Sequence, residues 1–355
     1  MEKAFETLRW IGLTDGVLEL LDQRKLPGRM DILICRTPEQ LFEAITTLAV
    51  RGAPAIGVAA AYGICLACRE IPDTAPAAET LKTVLKTADY LAQSRPTAVN
   101  LFWALNRIKR TAQDFTAANP KATTGQLKNT LLAEAKTIET EDRQMCQAIG
   151  QHGQQFIPDN ATILTHCNAG ALATAGIGTA LAPIYLAHAQ GKKIRVYMDE
   201  TRPLLQGARL TAWELTQMGI DAVLQCDNMA ASLMKSRKID AIIVGADRIA
   251  ANGDTANKIG TLALSILAGH FGVPFYVAAP SSTFDLSIPD GTGIPIEHRR
   301  DDEVTHVAGC RVAPEQISVY NPAFDVTDHT DITAIVTERG VIEHPDAEKI
   351  RRHLL

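Results

Sequence analysis

The chain has little of what binds nucleic acid, crosses a membrane or staples a secreted fold. Its 35 Lys and Arg fall short of its 40 Asp and Glu, a formal net charge of −5 over 355 residues. Bulk charge therefore does not draw it to a polyanion, and only a local basic pocket could. Aromatic residues are 5% of the chain, too few for a base-stacking surface, so no nucleic-acid partner is expected. Every apolar stretch is broken by Gly, Pro or charge before it could span a bilayer, and no membrane partner is expected either. The opening MEKAFETLRW has no basic segment followed by an apolar core, which predicts a cytoplasmic protein. Seven cysteines, an odd number scattered widely, fit a reducing compartment. The C-x-x-C of Cys65 and Cys68 lies in GVAAAYGICLACRE, an alanine-rich run of helical spacing with no second pair nearby. The context favours two small core residues over a metal or redox motif. Nine histidines show no H-x-x-x-H or comparable set, so no catalytic metal is predicted. A Walker lysine loop is missing, and NAGALATAGIG does not keep the G-x-G-x-x-G spacing. No cofactor is expected.

What is present is an ordinary globular composition, 46% apolar and 21% charged, at a length comfortable for two domains. ATILTHC (161–167), KIRVYMD (193–199), AVLQC (222–226), AIIVGAD (241–247) and PFYVAA (274–279) read as buried strands. AGALATAGIGTALAPIYLAHAQ, QGARLTAWELTQMG, NMAASLMKS and NKIGTLALSILAGHFG, lying between them, read as helices. Strand–helix alternation with unalternating apolar strands means a parallel sheet covered on both faces. ITAIVTERGVI (332–342) reads as one more strand. The first part differs: a β-hairpin around Thr14-Asp15-Gly16, then helices at PEQLFEAITTLAV, after Arg51, and from about Thr123 to Gly153. The expected fold is therefore α/β, a small mainly helical N-terminal domain (1–155) and a Rossmann-like parallel-sheet domain (156–355), joined near Ile157-Pro158-Asp159-Asn160. Residues 281–325, rich in Pro, Gly and charge, read as a long functional or interfacial loop.

In an open parallel sheet, ligands bind outside the carboxyl ends of the strands. The first of these strands ends in His166-Cys167-Asn168-Ala169-Gly170 and the fourth in Gly245-Ala246-Asp247-Arg248. Cys167 and Asp247 are thus expected to face one crevice, with Cys167 just before a helix opened by Ala169-Gly170 whose N-terminus would favour a thiolate. Alone, Cys167 reads more readily as a small buried hydrophobe, and Asp247 could be a helix cap or half of an Asp–Arg pair. The two together support a catalytic reading. For a phosphate, Arg51-Gly52-Ala53-Pro54 offers a cation and close backbone at a helix start. Arg95-Pro96-Thr97-Ala98 repeats the device, and Asn257-Lys258, after the turn Asn252-Gly253-Asp254, is a third cationic helix start.

The segments LDQRKLP, AVRGAPAIG, RPTAVNLFWAL, THCNAG, YMDETRPLLQGARLTAWEL, GADRIAANGDTANKIGT and PIEHR, in this order over nearly the whole chain, resemble the methylthioribose-1-phosphate isomerases of methionine salvage. That family belongs to a wider group with regulatory subunits of the eukaryotic initiation-factor-2 exchange factor and archaeal ribose-1,5-bisphosphate isomerases. The resemblance implies Asp247 as proton donor and Cys167 as its catalytic partner. It implies substrate contacts at Arg51, Gly52, Ala53, Arg95, Gln206, Asn257 and Lys258; Gln206 comes from the resemblance alone. It further implies a homodimer working on a small sugar phosphate without cofactor or metal. The expected reaction is S-methyl-5-thio-α-D-ribose 1-phosphate to S-methyl-5-thio-D-ribulose 1-phosphate. The rivals are a ribose-1,5-bisphosphate isomerase and a non-catalytic regulatory subunit, and retention of both Cys167 and Asp247 speaks against the latter. A sugar with phosphate on its anomeric oxygen cannot open freely, so a positioned acid must protonate the ring oxygen. Hydrogen then moves from C2 to C1, as a proton or as a hydride.

Overall fold

The computed structural model describes residues 5–96, 98–236 and 238–355. They form two units, Phe5–Gln144 with Ala171–Gly176, and Met145–Gly170 with Ile177–Leu355.

The N-terminal unit begins with the expected hairpin. Strands β1 (Leu8–Ile11) and β2 (Val17–Leu21) pair antiparallel, with Leu8 opposite Leu20, and β3 (Ile32–Cys35) joins the far side of β2. The turn closes where the Gly16 N–H donates to the Leu13 carbonyl, after Gly12 at φ +102°. Helices α1 (Pro38–Thr46), α2 (Ala53–Cys68), α3 (Ala77–Ala92), α4 (Val99–Ala118) and α5 (Thr124–Gly153) follow. The Thr37 side chain caps α1 at its N-terminus. The alanine-rich α2 is buried almost all round and is the centre of this unit's core, which is why its sequence shows no polar stripe. Cys65 and Cys68 lie inside that core, and burial pushes both thiols up, Cys68 to about 12. Iodoacetamide on the native protein should therefore label exposed Cys310 while leaving Cys65 and Cys68 intact, as read by peptide mass spectrometry. Labelling of either core thiol as fast as Cys310 would mean that α2 opens.

The division between the units runs through α5, between Gln144 and Met145. Ile157-Pro158-Asp159-Asn160 lies within the second unit. Segment Ala171–Gly176 groups with the first: Thr7 and Gln23 donate to the Ala171 and Leu172 carbonyls, and the buried Asp142 carboxylate accepts from the Ala175 and Gly176 N–H groups.

The C-terminal unit runs through β4 (Thr162–Thr165), α6 (Leu181–Ala189), β5 (Arg195–Asp199), α7 (Ala212–Gln217), β6 (Asp221–Gln225), α8 (Ala230–Lys235) and β7 (Ala241–Val244). Next come β8 (Arg248–Ala250), β9 (Thr255–Lys258), α9 (Thr261–Phe271), β10 (Phe275–Ala278) and β11 (Phe284–Asp285). Then follow α10 (Asp302–Thr305), β12 (His306–Val307), β13 (Cys310–Arg311), β14 (Phe324–Thr327), β15 (Ala334–Thr337), β16 (Gly340–Glu343) and α11 (Ala347–Leu354). The main sheet has the order β16-β15-β10-β7-β4-β5-β6, parallel throughout except for the β15–β16 pair. Successive strand residues point to opposite faces. Ile163, Val196 and Ile243 enter a core with α6 and α7, whereas Leu164, Ile242 and Val244 enter another with α8 and α9. Both faces are covered, as the unalternating runs required. No described helix is long and apolar enough to cross a membrane.

Three expectations about elements need correction. The run 169–190 is helical only from Leu181; before it the chain loops through one short 3-10 turn, because Gly178 at φ +89° packs against Gly170 backbone. ITAIVTERGVI is not one strand but the antiparallel pair β15–β16, turned at Glu338-Arg339. Asn257 and Lys258 end strand β9 and do not open α9. The loop 281–325 carries β11, α10 and the β12–β13 hairpin, and β8, β9, β11 and β14 form a second small sheet.

Candidate active site

Strand order changes direction at one place in the main sheet. From β4 the chain builds outward through β5 and β6, and from β7 it builds the other way through β10 and β15. Adjacent β4 and β7 therefore bound the topological switch point, where the carboxyl edge leaves a crevice. Cys167 follows β4 and Asp247 follows β7. Between them Gly245 comes close to Ala169: a Cβ on Gly245 would lie 2.9 Å from the Ala169 side chain. The structure thus brings the two predicted catalytic residues to the ends of neighbouring strands.

Cys167 sits at φ +62°, the left-handed region, a conformation costing a residue with a Cβ about 1–2 kcal/mol. It is held there from both sides. Its N–H donates to Thr201 Oγ1 at 2.9 Å, and its carbonyl accepts from the Thr211 hydroxyl at 2.5 Å. Asn168 Nδ2 donates to Glu214 Oε1 at 2.8 Å, and the Tyr185 hydroxyl donates to Glu214 Oε2 at 2.7 Å. Burial, and then the Glu214 charge, push the Tyr185 hydroxyl well above its usual range. Thr211 reaches the Cys167 carbonyl because Gly207–Thr211 is a π-helical turn leading into α7, a feature frequent at functional sites. Cys167 as a whole is only 7% exposed. The expected α-helix directly after Ala169-Gly170 is not there: only the 3-10 turn Ala171–Ala173 follows, and α6 begins at Leu181.

Gln206 stands immediately before the π turn, and its side-chain oxygen is buried without a hydrogen-bond partner. Such an orphan costs about 1–3 kcal/mol, which a ligand hydroxyl would recover. Asp247 is half-buried, its N–H bonded to the Ala256 carbonyl across to β9. On β9, Asn257 is buried and donates to Thr261 Oγ1, while Lys258 Nζ donates to the Ala323 carbonyl and lies 4.5 Å from the Phe324 ring centre.

Arg51, Gly52, Ala53 and Arg95 belong to the N-terminal unit. Gly52 takes φ +92° as the residue before α2, and a Cβ there would meet the Ala173 backbone. Pro54 occupies the first turn, and no side chain caps its N–H groups. The first turn of α4 lies against the second turn of α2, where a Cβ on Gly57 would approach the Asn100 carbonyl to 2.9 Å. Arg51 stands just before the Gly52 cap of α2, and Arg95 lies on the chain leading into α4.

His166, Asp199, Thr201, Thr211 and Glu214 were missed, although all are buried polar residues. Their signal was available: apolar strands that end in Thr-His-Cys-Asn and Asp-Glu-Thr carry polar side chains into a dry edge. His166, Asp199 and Asp227 hold one potential metal-ligand atom each within 4.8 Å. Those atoms are engaged: His166 Nδ1 lies 2.9 Å from Asp199 Oδ2, and the two Asp227 oxygens accept the Thr201 and Arg202 N–H groups. The group reads as a polar clamp.

The model of the Initiation factor 2 subunit family matches residues 49–344. The chain belongs to this family. Within it, the chain is 52% identical to the methylthioribose-1-phosphate isomerase of Rhodopirellula baltica, covering 98% of both chains. It is 53% identical to the 5-deoxyribose 1-phosphate isomerase of Moorella thermoacetica, over 99% of this chain and 98% of that one. The crystal structure of 5-methylthioribose 1-phosphate isomerase from Pyrococcus horikoshii is 42% identical, with TM-score 0.90 over 98% of this chain and 95% of that one. A family structure from A. fulgidus titled as a translation initiation factor eIF-2B delta subunit is also 42% identical, with TM-score 0.88 over 98% and 99%.

Proposed function

We propose that the chain is an aldose–ketose isomerase converting S-methyl-5-thio-α-D-ribose 1-phosphate into S-methyl-5-thio-D-ribulose 1-phosphate in methionine salvage. The observation carrying this is the placement of Cys167 and Asp247 at the ends of β4 and β7, the two strands that bound the switch point. A regulatory subunit needs neither group there. Asp247 is the acid that protonates the ring oxygen, and Cys167 lies by the carbons between which hydrogen moves. The uncapped starts of α2 and α4, with Arg51, Gly52, Ala53 and Arg95, supply phosphate donors. Gln206, Asn257 and Lys258 bind the sugar and its phosphate, the orphan oxygen of Gln206 taking a hydroxyl. The working form is a cytoplasmic homodimer without cofactor or metal.

The Moorella relative's name favours a second substrate, 5-deoxyribose 1-phosphate, which differs only in lacking the methylthio group on C5. Purified protein should turn over both of these sugar phosphates. Ribose 1,5-bisphosphate should be turned over weakly, because the proposed donors serve one phosphate. Product formation by NMR with the three substrates decides the assignment. A preference for the bisphosphate would overturn it, and so would inactivity on all three.

A further inference from the structure

The proposed chemistry gives no task to His166, whose side chain, beside Cys167 in the chain, is 1% exposed. Its Nε2 lies 2.8 Å from the Ile259 carbonyl, an oxygen that can only accept, so this nitrogen carries a hydrogen. Its Nδ1 faces Asp199 Oδ2 at 2.9 Å, so one further proton sits on the imidazole or on the carboxyl. Burial pulls the imidazole down, but Asp199, the Ile259 carbonyl and Asp227 outweigh it and raise it above its ordinary value. Asp199 is fixed in turn by Gln225 Nε2, and its carbonyl accepts from the Thr201 hydroxyl that holds the Cys167 N–H. On the other side the ring packs on Gly260, where a Cβ would come within 2.8 Å of Cε1. Gly260, at φ +104°, and Leu262 donate their N–H groups to the Asp325 carboxylate of β14. Ile259 and Gly260 directly follow Asn257 and Lys258.

We propose that His166 is a positioning residue that ties the Cys167 loop to the β9–α9 connection, and so sets the thiol against the strand bearing Asn257 and Lys258. The proposal rests on the isomerase reading above. Asn at position 166 can still reach Asp199 but not Ile259, whereas Gln places an amide near the Ile259 carbonyl.

His166→Asn should raise KM for methylthioribose 1-phosphate at least roughly tenfold and lower kcat by a similar factor, the scale of a misplaced reacting group. His166→Gln should lower kcat while keeping KM within about threefold. Iodoacetamide should modify Cys167 at least about fivefold faster in His166→Asn, because the loop opens locally. Thermal melts give the folded fraction of each variant. Wild-type constants in both variants would overturn the proposal. So would a loss of activity that only follows the folded fraction, with KM and Cys167 labelling unchanged. Should the wild-type protein fail to turn over the sugar phosphate, the isomerase reading fails and the labelling rate alone decides the positioning role. Should His166→Asn not fold, Asp199→Asn, which keeps the shape but weakens the hold on Nδ1, is read by the same labelling. An unchanged rate there counts against the proposal.

Discussion

Cys167→Ser and Asp247→Asn should each lower kcat by at least roughly 10²-fold, the usual loss when a general acid or base is removed. Both substitutions keep size and shape at the carboxyl edge of β4 and β7. Ser tolerates the left-handed backbone about as well as Cys, and the bonds from Thr201 and Thr211 go to the main chain of residue 167. The fold and the binding of sugar phosphate should therefore survive, and the defect should fall on kcat. Arg51→Ala is the contrast. A phosphate contact is made in the ground state and the transition state alike, so its loss raises KM more than it lowers kcat. Steady-state kinetics on methylthioribose 1-phosphate separate the two patterns. A Cys167→Ser enzyme within a few-fold of wild-type kcat would remove the thiol from the chemistry.

Gly207→Ala should lower the stability of the fold sharply. A Cβ at residue 207 would run into the backbone carbonyl of Asp199 at the end of β5, and a strand carbonyl cannot step aside as a side-chain tip can. The π turn beginning at Gly207 would have to move, carrying Gln206 off its buried seat and the Thr211 hydroxyl off the Cys167 carbonyl. Overpacking in a core costs about 1–3 kcal/mol, and a clash between two backbones sits at or beyond the upper end. Denaturant titration should show the midpoint falling by at least roughly that equivalent, with loss of activity in any residual soluble protein. Gly219→Ala, at a glycine with open space around it but φ +67°, serves as the control for backbone strain alone. Equal stability of the two variants would mean that the close approach at Gly207 is not rigid.

Much of this fold was legible because its strands are short apolar runs with nothing polar on alternate positions. AIIV at 241–244 and FYVA at 275–278 have only one sensible reading, strands buried on both faces. The opening hairpin was legible from Thr-Asp-Gly between two apolar runs. The run after Cys167 was not, because alanine and glycine suit a buried loop as well as a helix. What decides for the loop is the packing of Gly178 on Gly170, a contact between residues that no periodicity records. Asn257 and Lys258 read as a helix start because they follow the turn Asn252-Gly253-Asp254 and run straight into the apolar IGTLALSIL; pairing with β14 makes Thr255–Lys258 a strand instead. The placement of Cys167 and Asp247 at neighbouring strand ends followed from a topological rule that needs only strand order. Gln206 came from the resemblance alone, and no strand-order rule points to the unbonded buried oxygen that the structure shows there.

The left-handed backbone at Cys167 bears on how such a chain can change over generations. Glycine and asparagine occupy φ near +60° more easily than cysteine does. The thiol is thus maintained against the local backbone preference, and losing it relaxes the main chain. On the proposed reading, a single codon change to glycine would remove the reacting thiol while leaving the bonds to the main chain of residue 167 in place and the loop less strained. A catalytic ancestor built this way stands one step from a stable, inert sugar-phosphate binder, and the reverse step must be taken uphill.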